Sequence, residues 1–174
     1  MKTYLKLIPA LCALAVITAG YFSFLRPDGK NTVSESAGDF DLTDQTLEDL
    51  TGISWTTDGE TRAYTLKEGR WEAAEVSAEP ADQEAVEALA ERLVNLQATR
   101  KIENVDNPEN YGLTEPSVTV TAEWKDGRTV YSMGESTPFG DGYYLALSTG
   151  DRTVYTIASP LMAGIQERKA EENR

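Results

Sequence analysis

An uncharged, apolar run from Leu7 to Leu25 constrains this chain more than any other feature; Lys2 and Lys6 stand before it and a polar, acidic stretch follows. A helix rises about 1.5 Å per residue, so about 19 such residues just cross a hydrocarbon core of ~30 Å. Whatever follows Arg26 is then expected outside the cytoplasm. Three readings compete. In an uncleaved signal anchor, Lys2 and Lys6 stay on the cytoplasmic side, and Tyr21 and Phe22 sit near the outer interface. In a cleaved signal peptide, Thr18, Ala19 and Gly20 offer the small residues a peptidase needs. A lipoprotein signal at Cys12 is set aside, because Leu11 is too bulky for the position before the cysteine and the apolar run continues past it. The anchor is the preferred reading, with secretion after cleavage as the alternative. A buried core helix fits poorly with basic residues in front and a polar segment behind.

The rest of the chain is bounded by what it lacks. There is one cysteine, Cys12, and it lies inside the apolar run. The remainder therefore folds without disulfides and offers no thiol nucleophile or thiolate metal site. The chain has no histidine, which removes the commonest general base and transition-metal ligand. The formal net charge is −13, which opposes nucleic acid and anionic lipid headgroups. No cofactor is expected, and no nucleic-acid partner.

Residues 1–26 are expected as the anchor and 27–42 as a flexible linker rich in Gly, Ser, Asn and Asp. Residues 43–166 are expected as one domain, and 167–174 as a charged tail. A helical turn capped by Thr43 is predicted up to Leu50. Strand signals follow at Ile53 and Trp55, then at Ala63, Tyr64 and Leu66, then from Trp71 to Val76. Turns at Asp58–Gly59 and Glu68–Gly69 separate them. A helix is predicted over 83–98, capped by Asp82, with Val86, Leu89, Leu93 and Leu96 in one apolar stripe. Its acidic polar face argues against a membrane-surface role. Extended chain is predicted from Arg100 to Val105, and a turn begins at Asn107–Pro108 and stops at Gly112.

The clearest strand has Val118, Val120, Ala122 and Trp124 on one face and Thr119, Thr121 and Glu123 on the other. Asp126–Gly127 returns the chain through Thr129 to Met133. Tyr143 to Leu147 and Thr153 to Ile157 form a further hairpin, and Ser159–Pro160 begins a short helix. The fold class expected is α+β: an N-terminal transmembrane helix, then a mainly antiparallel sheet of two meanders, one packed amphipathic helix and a short C-terminal helix. Trp55 with Asp58–Gly59 and Tyr64 faintly echoes Trp124 with Asp126–Gly127 and Tyr131; two hairpins on one template explain this without a duplication.

The order of short motifs is informative. Gly69-Arg70-Trp71 is followed by Ala81-Asp82 leading to Val86. Then come Tyr111-Gly112-Leu113 leading to Pro116, Met133-Gly134-Glu135, Gly142-Tyr143-Tyr144, and Val154-Tyr155. Together these resemble the DUF4340 family over residues 44 to 165, a bacterial domain without an established activity or catalytic residues. The resemblance implies no active site. Some members look associated with ABC-type export systems, including gliding-motility transporters, which implies an accessory role and transporter subunits or other envelope proteins as partners. Many members hold repeated copies, and this chain holds one.

Candidate functional residues are few. Tyr111-Gly112-Leu113 reads first as a helix stop and strand entry, and second as a recognition loop with Tyr111 exposed. The loop from Gly134 to Gly142 carries Glu135, Phe139 and Asp141 and leads into Tyr143; such a loop on a rigid sheet can hold a partner or ligand. It is no phosphate loop, because the glycine spacing is wrong and no lysine stands in it. Carboxylate pairs such as Glu72 with Glu75, or Glu135 with Asp141, are expected by chance in so acidic a chain, and no calcium-loop pattern occurs. Trp55, Trp71, Trp124, Tyr143, Tyr144 and Tyr155 read as core aromatics before a carbohydrate platform. The leading expectation is a non-catalytic, membrane-anchored, extracytoplasmic interaction module. An envelope ligand-binding module for glycan or peptide is the alternative, and a hydrolase is disfavoured for want of His, Cys or a nucleophile arrangement.

Overall fold

The computed structural model describes residues 33–74, 80–148 and 152–163. Nine strands form one antiparallel sheet: β1 (Ser34–Asp41), β2 (Leu50–Thr57), β3 (Glu60–Lys67), β4 (Arg70–Ala73), β5 (Gln97–Glu103), β6 (Val118–Trp124), β7 (Gly127–Ser136), β8 (Tyr143–Leu147) and β9 (Val154–Ile157). One α-helix, α1 (Gln83–Val94), lies between β4 and β5 in the chain. The strand order across the sheet is β1-β5-β9-β8-β7-β6-β2-β3-β4.

This corrects the expected class. The two meanders do exist as β2-β3-β4 and β6-β7-β8-β9, but β2 pairs with β6 and fuses them into one sheet. β5 then adds to β9, and β1 adds to β5. The described chain is mostly one large sheet with a single α-helix. Ser34–Asp41, expected within the linker, is a strand instead. Nearly all its side chains are exposed, so it has no buried alternation to read; backbone pairing to β5 makes it a strand. The predicted turn before β2 is a 3-10 turn, Leu47–Asp49, but Thr46 rather than Thr43 stands at its start, and the Asp49 carboxylate accepts from the Thr46 hydroxyl and N–H at 2.6 and 3.3 Å. The expected C-terminal helix is a turn at residues 161–163 as far as the description reaches. Among the described residues no helix is long and apolar enough to cross a membrane, so the transmembrane helix of the expected class finds no support. The run from Leu7 to Leu25 and the tail 167–174 lie outside the described residues.

Local chemistry explains the elements that were legible. Asp58 and Gly59 both take positive φ, 52° and 78°, which gives the turn a twist matching its strands. Asp82 caps α1 by accepting a hydrogen bond from the Ala85 N–H at 3.1 Å. α1 stops at Val94, short of the expected 98, because Gln97 already pairs in β5; Val86, Leu89 and Leu93 are buried on the helix and Leu96 on the segment after it. They pack on the sheet face carrying Ile53, Trp55, Tyr64, Val120, Tyr131, Met133, Leu145 and Ile157. Arg92 on α1 donates to the carbonyls of Pro160, Leu161 and Ala163 at 3.1, 3.1 and 2.9 Å, which fixes buried Leu161 and Met162 over that core.

The opposite face differs. Register places Ser54 opposite Thr121, and Thr56 opposite Thr119, giving a half-buried hydroxyl surface. At the β5-β9-β8 end a second, smaller apolar cluster forms from Ile102, Val105 and Val154 under Tyr111, Leu113 and Tyr144.

Candidate functional site

The chain from Pro108 to Tyr111 makes a 3-10 turn that stops at Gly112, whose φ is 68°. This turn is seated on the irregular stretch of β7. A Cβ built on Gly134 would lie 2.0 Å from the Tyr111 carbonyl oxygen, and one on Gly112 would lie 2.5 Å from Glu135 Cγ. Only glycine permits that approach. It brings Tyr111 edge-on to Tyr144, with ring centroids 4.9 Å apart and planes at 84°.

Beside this pair, the segment 137–142 joins β7 to β8 as a braced loop. The Thr137 N–H donates to the Gly142 carbonyl at 2.8 Å, and the Gly140 N–H donates to the Thr137 carbonyl at 2.9 Å. The buried Thr137 hydroxyl donates to one oxygen of Asp141. The other oxygen accepts from Arg100 Nη2 at 2.9 Å, and Arg100 Nη1 stands 3.6 Å from Glu35 on β1. The Thr137 hydroxyl, followed by the Arg100 charge, holds the Asp141 carboxyl below its ordinary value. Burial, followed by the field of Tyr111, pushes Tyr144 up, and Arg100 opposes this. At the tip of this braced loop Phe139 is 87% exposed.

Four of the five predicted residues thus share one corner: Tyr111, Glu135, Phe139 and Asp141. Tyr143 does not. It sits on the helix-facing side and packs against the main core, because successive residues of a strand point to opposite faces. Tyr144 takes the place expected for it. Sequence reading also missed Arg100 and Glu35. Arg100 lies in β5, whose partners β1 and β9 are remote in sequence, so nothing local ties it to Asp141.

The chemistry available is narrow. The Arg100 guanidinium is shared between two carboxylates, which leaves little charge for an anionic ligand. A carboxylate with a lowered pKa is a weak base, so the Thr137–Asp141 bond braces the loop and is poorly suited to activate a nucleophile. Glu72, proposed with Glu75, instead meets Lys67 Nζ at 2.9 Å; Glu75 lies outside the described residues. Among the described residues no group of three His, Cys, Asp or Glu could hold a metal ion. Gln45, Thr46, Leu47, Glu48, Val94 and Asn95 line a depression of about 600 Å³ that is open and shallow.

A family model described as Domain of unknown function (DUF4340) matches residues 71–171, more than half of the chain. The match begins later than the span of 44 to 165 suggested by the motifs. It includes Arg100, the Tyr111–Tyr144 pair and the Phe139 loop, while Glu35 lies before it. No curated protein and no solved structure matches the chain.

Proposed function

Because the chain belongs to the DUF4340 family, which is defined without an activity, its role has to be read from its surface, and we propose that it is a non-catalytic interaction module acting outside the cytoplasm. Export is supported by the uncharged run from Leu7 to Leu25 behind Lys2 and Lys6. The contact reading is carried by one observation: Phe139 stands 87% exposed on a loop immobilised by Thr137, Asp141 and Arg100. An exposed aromatic on a floppy loop loses conformational entropy when it docks. One held rigid loses little, and aromatic anchors dominate binding at protein interfaces. The partner is an envelope protein with an apolar pocket for the ring. Subunits of an ABC-type transport system are the first partners to test.

The test is native co-purification of the full-length tagged chain against Phe139→Ala. Phe139 touches little of its own fold, so the melting temperature should hold. Partner recovery should fall by about 30-fold, the weight of an aromatic anchor worth about 2 kcal/mol. Leu47→Ala, at another exposed apolar residue, should leave recovery intact. Equal recovery from all three proteins sinks the reading.

A further inference from the structure

A sheet of nine strands in one row has two edges, and the protein treats them differently. At β4 the Gln83 side chain lies along the strand: its Oε1 accepts from the Trp71 N–H at 2.8 Å and its Nε2 donates to the Trp71 carbonyl at 2.7 Å. The amide imitates a neighbouring strand and closes that edge at its centre. At the other edge, among the described residues, no strand lies outside β1. β1 is eight residues long and carries neither lysine nor proline, two common guards of an open edge. Its single irregularity falls between Ala37 and Phe40, so Ser34 to Ala37 run in regular register with β5. Its charged side chains are all acidic: Glu35, Asp39 and Asp41.

We propose that the outer edge of β1 receives an extended, basic segment of a partner protein as a tenth strand. Backbone hydrogen bonds along Ser34–Asp41 supply the attachment, and lysine or arginine side chains of the incoming strand lie across from the β1 carboxylates. The acidic edge selects the occupant. A second copy would bring like charges together on a chain already at −13, whereas a basic segment finds complementary charge. Arg100 ties Glu35 of this edge to Asp141 of the Phe139 loop, so an added strand abuts the same corner. The inference rests on the interaction-module reading and names how the partner enters.

The test is amide hydrogen exchange on the full-length chain in mild detergent, with a short peptide of alternating lysine and valine as probe and its glutamate–valine counterpart as control. At a free concentration about ten times its Kd, the basic peptide should slow exchange of the outward-facing amides within residues 34–41 about tenfold, and the acidic one should not. Successive amides of β1 alternate between β5 and the open edge. One of Ser36→Pro and Ala37→Pro therefore removes an outward donor and leaves the β5 ladder whole; that variant should keep its melting temperature and lose the protection. Slowing spread over the whole chain, or indifference to both proline variants, overturns the proposal. So does protection of the outward-facing amides of β1 before any peptide is added, whether at all dilutions or only on dimerisation, because the edge is then already taken; the amides bonded to β5 are protected in every case. Phe139→Ala is run in parallel. A chain that loses envelope partners with Phe139→Ala yet never adds the peptide keeps the module reading and loses only this inference.

Discussion

Tyr131 is the largest fully buried side chain among the described residues. Its hydroxyl meets no partner in hydrogen-bonding geometry, although Thr43 and Thr129 stand near it. Thr129 already accepts from the Trp124 indole N–H at 3.1 Å. Burial pushes the Tyr131 phenol up to about 12, against an ordinary value of 10.0, and the neighbouring hydroxyls only partly offset it. The folded-state value is the higher one, so the neutral phenol favours the fold. That contribution is complete below about pH 10 and is lost as the pH rises through about 12, an effect of roughly 2–3 kcal/mol. Tyr131→Phe should change stability at neutral pH by no more than about 1 kcal/mol, since an unpartnered hydroxyl gives the fold little. Urea unfolding at pH 7 and at pH 11 checks both points: the wild type should lose stability between them that the phenylalanine variant keeps. The returning strand from Thr129 to Met133 was legible, whereas the burial of Tyr131 and the environment of its hydroxyl were not, because they depend on Thr43 and on strands distant in sequence.

At the scale of elements, α1 was legible because its signals are local. Asp82 caps it, and the stripe Val86, Leu89, Leu93 follows from 3.6 residues per turn, whereas Leu96, expected in the same helix, lies past its end at Val94. The Asp58–Gly59 and Glu68–Gly69 turns were legible for the same reason. β1 was not, since Ser34 to Asp41 lack any alternation and hold their place through pairing. The closed edge at β4 leads to a prediction at this scale. Gln83→Ala uncovers the N–H and carbonyl of Trp71, two backbone groups in an edge strand. Stability should fall by about 1–2 kcal/mol, and the variant should self-associate on concentration where the parent stays dispersed. Light scattering across a dilution series reads this directly. A variant that scatters like the parent would mean that another group guards the β4 edge.

At the scale of the whole molecule, the sheet is stitched together by remote pairings. β2 meets β6, β5 meets β9 and β1 meets β5, each across tens of residues. Chains dominated by such pairings pay loop-closure entropy before their contacts form. Refolding monitored by tryptophan fluorescence should therefore take milliseconds to seconds; a microsecond phase carrying the full amplitude would contradict the topology. The same pairings explain which parts of the candidate site could be foreseen. Tyr111, Glu135, Phe139 and Asp141 stood out as turn and loop residues, but Arg100 and Glu35 join them only because β5 is inserted between β1 and β9. Tyr143 and Tyr144 are equivalent in the sequence, and the register of β8 in the assembled sheet sends one to the core and the other to the corner. Features set by near neighbours could be read in the chain alone: the apolar run at the start, the hairpin turns, the capped helix with its stripe, and the ordered motifs of the family. The strand order, the faces of the tyrosines and the edge left open emerge from the assembled sheet. These depend on backbone pairs between distant segments, and strand periodicity says which residues share a face but not which strands lie side by side.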